Sequence, residues 1–379
     1  MRYEPPTPEA VLEAIRSPFL KAAPERVDPP VLQPLGTLLD LAGEALRSRL
    51  FVVQGEGGGE ACLRPDFTVP VARVHLGRGG GPGRYFYEGR AFRASRPGSS
   101  QPEEFLQVGL EVYGIPSSDV VAMDVEICAL AWRAAAAGGR EDLELGLGDA
   151  GLFGVFIDAL GLDEPLRLRL RRAAGRPRRL QGELARTEPV RGAGGEGGVL
   201  ASILSGLTET QAEELLTEIW GLAGVEQVGG RGAGEIAQRL LQRAQAERAP
   251  ALSEGDAERI RRFLDIVDEP RAALERVAEL GSGASGLEAV LGDWGRRLDS
   301  LAHAGVPVER ARFATAAGRS FDYYDGLTFE IRSLALGPER PVAAGGRYDS
   351  LLARLGGAGG ERAVGAMVRP WRAFSGGEA

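Results

Sequence analysis

Tyr85-Phe86-Tyr87-Glu88-Gly89-Arg90-Ala91-Phe92-Arg93 and Phe105-Leu106-Gln107-Val108-Gly109-Leu110-Glu111-Val112-Tyr113 decide the fold class. Both runs are rich in aromatic and β-branched residues, and the loop 97–104 between them carries Pro, Gly and Ser. They therefore read as one long β-hairpin. Side chains alternate across a strand, so Gln107 and Glu111, four apart, share a face and can reach the same ligand.

Working outward, Phe51-Val52-Val53 and Cys62-Leu63 predict a smaller hairpin around a turn-rich stretch, and Arg64-Pro65-Asp66-Phe67-Thr68 leads into a helix carrying Val69, Val71, Ala72 and Val74. Residues 124–137 predict a helix closed by Gly138-Gly139, and 143–148 a strand. From about 163 to 301 the pattern turns to Leu/Ala/Arg/Glu-rich helices separated by glycine clusters. Strand signals resume at 312–314, 327–331, 342–344 and 363–368. β-rich segments on both sides of a helical block predict an α+β fold, an antiparallel sheet flanked by helices with an inserted helical subdomain. The expected division is 1–160 for the first part of the core, 161–301 for the insertion and 302–379 for the second part.

Composition narrows the function. The chain has 379 residues, 44% apolar and 26% charged, enough for a substantial core. No apolar run approaches the ~20 residues that span a bilayer, and residues 1–13 carry Pro and Glu where a signal peptide needs an apolar stretch, so a cytoplasmic, membrane-free protein is expected. Two cysteines and two histidines are too few and too scattered for a metal cluster, a disulfide framework or a hydrolase triad, and neither metal nor cofactor is expected. The net charge of −8 works against a broad phosphate-binding surface. Despite 55 glycines, neither GxGxxG opening a helix nor GxxxxGK[ST] occurs.

The hairpin, together with Arg319-Ser320-Phe321-Asp322-Tyr323-Tyr324-Asp325-Gly326 and Ala344-Gly345-Gly346-Arg347-Tyr348-Asp349, resembles the core of histidyl-tRNA synthetase, a class II aminoacyl-tRNA synthetase. The resemblance implies a histidine pocket. Asp66 and Thr68 match the positions that hold the ammonium group, with Asp66 one methylene shorter than the usual Glu. The counterpart of Gln107 helps with the backbone groups, and that of Glu111 binds the imidazole. Arg319 matches the arginine on the carboxylate and activated phosphate, Tyr323 and Tyr324 match the tyrosines beside the imidazole, and Arg347 and Tyr348 lie where a strand closes the pocket.

The ATP motifs depart from that pattern. Arg93, the core arginine of the second motif, is present, but Ser95 replaces the acid that follows it, and Gln101 and Glu103 stand at basic positions. The third motif should end Gly-x-Glu-Arg. Here Arg369 takes the glycine position, where its bulk would fill the adenine space, and Trp371 takes that of the acid, with Arg372 at the motif arginine. Arg93 and Arg372 are thus expected to mark a vestigial nucleotide site. Seven residues follow Arg372, whereas the synthetase continues into an anticodon-binding domain of roughly 100 residues, so tRNA charging is not expected.

A synthetase core with these departures is similar to the regulatory subunits of ATP phosphoribosyltransferase. That resemblance implies a non-catalytic chain paired with a short catalytic subunit in the first step of histidine biosynthesis, with histidine as effector, and a homodimer within a larger hetero-oligomer. Two other readings stand beside it: an enzyme that activates histidine for another acceptor, and a stand-alone histidine-binding module.

Overall fold

The structure, a computed structural model, describes residues 2–377 apart from 43, 56–58, 97, 100, 175, 187–209, 212, 213, 216, 219–250, 282 and 317–322. Helix α1 (Glu9–Leu20) buries Leu12, Ile15 and Phe19, the spacing of one helical face. After β1 (Glu25–Arg26), strands β2 (Leu32–Pro34), β3 (Val52–Gln54) and β4 (Glu60–Leu63) form a small sheet in the order β2-β4-β3, with α2 (Leu35–Ala42) between the first two. Val52 pairs with Cys62, as the smaller hairpin predicts. Helix α3 (Thr68–Gly77) then leads to the long hairpin of β5 (Gly83–Phe92) and β6 (Glu104–Tyr113).

The hairpin is antiparallel over its whole length, with Tyr85 opposite Glu111, Tyr87 opposite Gly109 and Gly89 opposite Gln107. This register puts two tyrosines on the same face as Gln107 and Glu111. Around it a nine-stranded sheet is built, in the order β1-β5-β6-β12-β11-β10-β7-β9-β8. Its further strands are β7 (Leu143–Asp149), β8 (Val267–Asp268), β9 (Arg312–Ala314), β10 (Leu327–Ser333), β11 (Ala343–Arg347) and β12 (Ala363–Val368). Helix α4 (Val120–Ala136) packs on β11 and β12, burying Val125, Ile127, Cys128 and Ala131.

The sheet is mixed. Six of its eight contacts are antiparallel, but β1 runs parallel to β5 and β7 parallel to β9. Both parallel pairs join strands separated by long stretches of chain, the connection a parallel pair requires. Period-2 alternation identifies a strand but not its direction.

The chain forms two compact units: residues 1–152, 265–279 and 285–379 in one, and residues 153–264 and 280–284 in the other. The helical block expected over 161–301 is therefore divided. Strand β8 and the helix Ser285–His303 belong to the sheet unit, where Trp294 donates its indole N–H to Asp149 at 2.8 Å and Arg297 donates to Asp124 at 2.8 Å. In the second unit, Phe156 stacks on Phe263 of the helix Glu254–Leu264 at 4.2 Å, and a buried ion pair joins Arg169 of the helix Glu164–Ala173 to Glu183 of the helix Pro177–Leu184. Among the described residues no helix is long and apolar enough to cross a membrane.

Candidate functional site

A cavity of about 470 Å³ opens on the face of the sheet unit that carries Gln107 and Glu111. Three segments far apart in sequence meet there: 66–68 at the start of α3, the β5–β6 hairpin, and Tyr323-Tyr324 ahead of β10. Asp66, Thr68, Gln107, Glu111, Tyr323 and Tyr324 all line it, as does Arg93. Arg319 lies outside the described residues.

Glu111 is the hub. It is 1% exposed, takes the Thr68 hydroxyl on Oε1 at 2.9 Å and the Tyr348 hydroxyl on Oε2. Burial pushes its carboxyl up to about 8, against the lowering effect of those two hydroxyls. Tyr348 does not line the cavity; it braces Glu111, and its ring sits edge-on to Tyr323 at 6.0 Å. The glycines around it are obligatory for the same reason. A Cβ at Gly365, opposite Glu111 on β12, would lie 1.5 Å from Glu111 Oε2, and one at Gly346 would lie 2.9 Å from the Tyr324 ring.

Asp66 is buried, accepts the backbone N–H groups of Thr68 and Val69 at the first turn of α3, and is held above the usual carboxylate range by burial, with Arg93 opposing. Its Oδ1 has no partner. Arg93 is itself tied down, donating Nε to the Pro65 carbonyl at 2.8 Å. Gln107 is fully buried, yet neither its amide oxygen nor its amide nitrogen is hydrogen-bonded. A buried amide left so costs about 1–3 kcal/mol per unsatisfied group, so Gln107 offers both a donor and an acceptor to whatever fills the cavity. The cavity thus offers two carboxyls for a cation, an amide that donates and accepts, a guanidinium, and a wall of tyrosines.

Two expected residues are placed elsewhere. Arg347 leaves the cavity and donates Nε and a terminal nitrogen to Asp124 at 2.9 and 2.6 Å, so that the fully buried Asp124 sits between Arg347 and Arg297. Gly346 pairs with Gly365, which lies opposite Glu111, so Arg347, one position along and paired with Val364, points to the other face of the sheet and does not reach the cavity. Arg372 lines a different cavity, of about 220 Å³, and donates to the Pro341 carbonyl at 3.0 Å. Arg369 covers Phe105, its guanidinium carbon 3.6 Å from the ring centroid, paired with buried Glu4. Tyr87, stacked on Phe67 at 4.4 Å, is a cavity residue not anticipated from the sequence, although the hairpin register would have placed it opposite Gly109. Among the described residues no group of three or more His, Cys, Asp or Glu is arranged to hold a metal.

The mixed sheet, the long hairpin within it and the buried acids belong to a class II, histidyl-tRNA synthetase-like fold. The family model described as histidyl-tRNA synthetase matches residues 8–190 and 210–370. The chain is 38% identical over 359 residues to an ATP phosphoribosyltransferase regulatory subunit of Mesorhizobium japonicum, covering 92% of each chain, and 34% identical over 351 residues to one from Brucella anthropi, covering 91% of each. The chain belongs to the family of ATP phosphoribosyltransferase regulatory subunits. In fold it is similar to a solved ATP phosphoribosyltransferase regulatory subunit/histidyl-tRNA synthetase from Bacillus halodurans, with a TM-score of 0.66 at 21% identity over 99% of this chain and 81% of that one. It is also similar to a histidyl-tRNA synthetase from Nostoc, with a TM-score of 0.59 at 15% identity over 97% and 70%.

Proposed function

We propose that this chain performs no chemistry of its own, docks on a short-form ATP phosphoribosyltransferase catalytic subunit in the cytoplasm, and sets its activity in the first step of histidine biosynthesis according to histidine bound in the Asp66–Gln107–Glu111 cavity. The observation that carries the reading is Gln107, a buried amide with both polar atoms orphaned in a cavity that two carboxyls also line. In this reading Asp66 and Thr68 take the ammonium group, Gln107 the backbone groups, Glu111 the imidazole, and Tyr323 and Tyr324 flank the ring while Tyr348 holds Glu111. Arg319 takes the carboxylate. A homodimer inside a larger hetero-oligomer is the assembly proposed, and a coupling of about 1–3 kcal/mol between histidine and the catalytic chain is enough to regulate it.

The loop after Arg93 supports a chain without adenylating activity. Ser95 donates its hydroxyl to the Gln101 carbonyl at 2.9 Å and its N–H to Glu103 at 3.3 Å, so these residues satisfy one another. The test is reconstitution with the short catalytic subunit of the same organism, assayed for ATP phosphoribosyltransferase turnover with and without histidine, beside a histidine-dependent pyrophosphate-exchange control. Turnover that requires this chain and falls with histidine, without exchange, is expected. Exchange without any effect on the transferase would establish a histidine-activating enzyme instead.

A further inference from the structure

The second cavity of the sheet unit, of about 220 Å³, is built in part by a strap at the start of the chain. The strap lies along the start of β6: Glu4 donates its N–H to the Glu104 carbonyl at 2.9 Å, and the Arg2 carbonyl accepts the Glu103 N–H at 2.8 Å. It brings Arg2, Tyr3 and Glu4 to the cavity, which Arg340, Trp371 and Arg372 line with them.

These groups do not satisfy one another. Arg372 is engaged, donating Nη1 to the Pro341 carbonyl at 3.0 Å and Nη2 to Gln101 Oε1 at 3.4 Å. Arg340 donates only Nε, to the Leu336 carbonyl at 2.9 Å, and no described carboxylate forms an ion pair with Arg340 or with Arg2. Burial pulls the Arg372 guanidinium down to about 10, with Arg93 and Arg340 adding to the effect, the sign of cations crowded together. Glu4, 3% exposed, gives Oε1 to Arg369 and leaves Oε2 without a partner, and the indole N–H of Trp371 is buried and unpaired as well. Buried polar atoms left so are uncommon, and each offers a place for a complementary group.

Surplus guanidinium and N–H donors suit a carboxylate, and a surplus carboxylate oxygen suits an ammonium group. Both charges on one small molecule, beside the rings of Tyr3 and Trp371, describe an α-amino acid with an apolar or aromatic side chain. The cavity is smaller than the ~300–1,000 Å³ of pockets for drug-sized ligands, as a single amino acid requires. We propose that it is a second amino-acid site, in which Arg340, Arg2 and the Trp371 N–H take the carboxylate and Glu4 Oε2 takes the ammonium group. This inference does not depend on what fills the Asp66–Gln107–Glu111 cavity.

The test is calorimetric titration of the full chain with L-phenylalanine, L-tyrosine, L-tryptophan, L-leucine and L-histidine in turn, with folding checked by the thermal transition. At least one is expected to bind with a Kd below about 1 mM, and at least about tenfold more weakly to Arg340→Gln. The same molecule without its amino group should bind the unaltered chain at least about tenfold more weakly. Trp371→Phe keeps a ring but not the N–H, and should give a smaller loss in the same direction. No binding by any of the five would overturn the proposal. So would isotherms that a folded Arg340→Gln variant leaves unchanged for all five, or Arg340-dependent binding that survives loss of the amino group.

Discussion

Replacing Glu111 by Gln should change how stability depends on pH, in a direction the cavity fixes. Glu111 is 1% exposed, and its carboxyl is raised from 4.5 to about 8, chiefly by burial. A folded-state value above the unfolded one means that the folded protein binds the extra proton, so stability from this group is full below about pH 4.5 and is lost as pH rises towards 8. The loss is about 1.4 kcal/mol per pH unit, roughly 3 kcal/mol between pH 5.5 and 7.5. Gln keeps the size and a carbonyl for Thr68 but does not titrate. Asp66, raised in the same sense, remains in both proteins and largely cancels in the comparison. Urea unfolding followed by tryptophan fluorescence at half-unit steps from pH 5 to 9 gives the difference directly. Glu111→Gln should gain on the unaltered protein steadily up to about pH 8 and then level off, whatever constant offset the substitution brings. Parallel curves across that range would refute the reasoning, because they would mean that Glu111 ionises as an exposed carboxylate does.

Asp124→Asn leaves Arg347 and Arg297 buried without their shared carboxylate, and should destabilise the sheet unit by about 3–5 kcal/mol in the same unfolding assay. Gly365→Ala puts a methyl into the space of Glu111 Oε2. It should cost about 1–3 kcal/mol of stability and weaken histidine binding measured by calorimetry. Tyr348→Phe removes one of the hydroxyls that lower the Glu111 carboxyl, so the pH at which its difference curve levels off should move upward.

The long hairpin was legible because aromatic and β-branched residues flank a Pro/Gly/Ser loop, and the pairing of Tyr85 with Glu111 follows the same alternation that grouped Gln107 with Glu111. Asp66, Thr68, Tyr323 and Tyr324 were named through the resemblance to the synthetase motifs and meet in one cavity. What escaped depended on partners distant in sequence. Nothing local tells that Trp294 and Arg297 face Asp149 and Asp124, so the helix Ser285–His303 reads as part of the insertion. Glu4 is an unremarkable residue near a terminus until the strap folds back 365 positions to Arg369. Strand direction at β1 and β9 is likewise a tertiary property that periodicity does not carry.

The most direct test of a histidine-reading regulatory subunit is the histidine inhibition curve of the reconstituted transferase carrying Gln107→Leu. Losing an amide that meets the ligand's polar groups costs about 1–3 kcal/mol, so the curve should shift to roughly 5–150-fold higher histidine while turnover without histidine is unchanged. A superimposable curve would contradict the account and move histidine recognition out of this cavity.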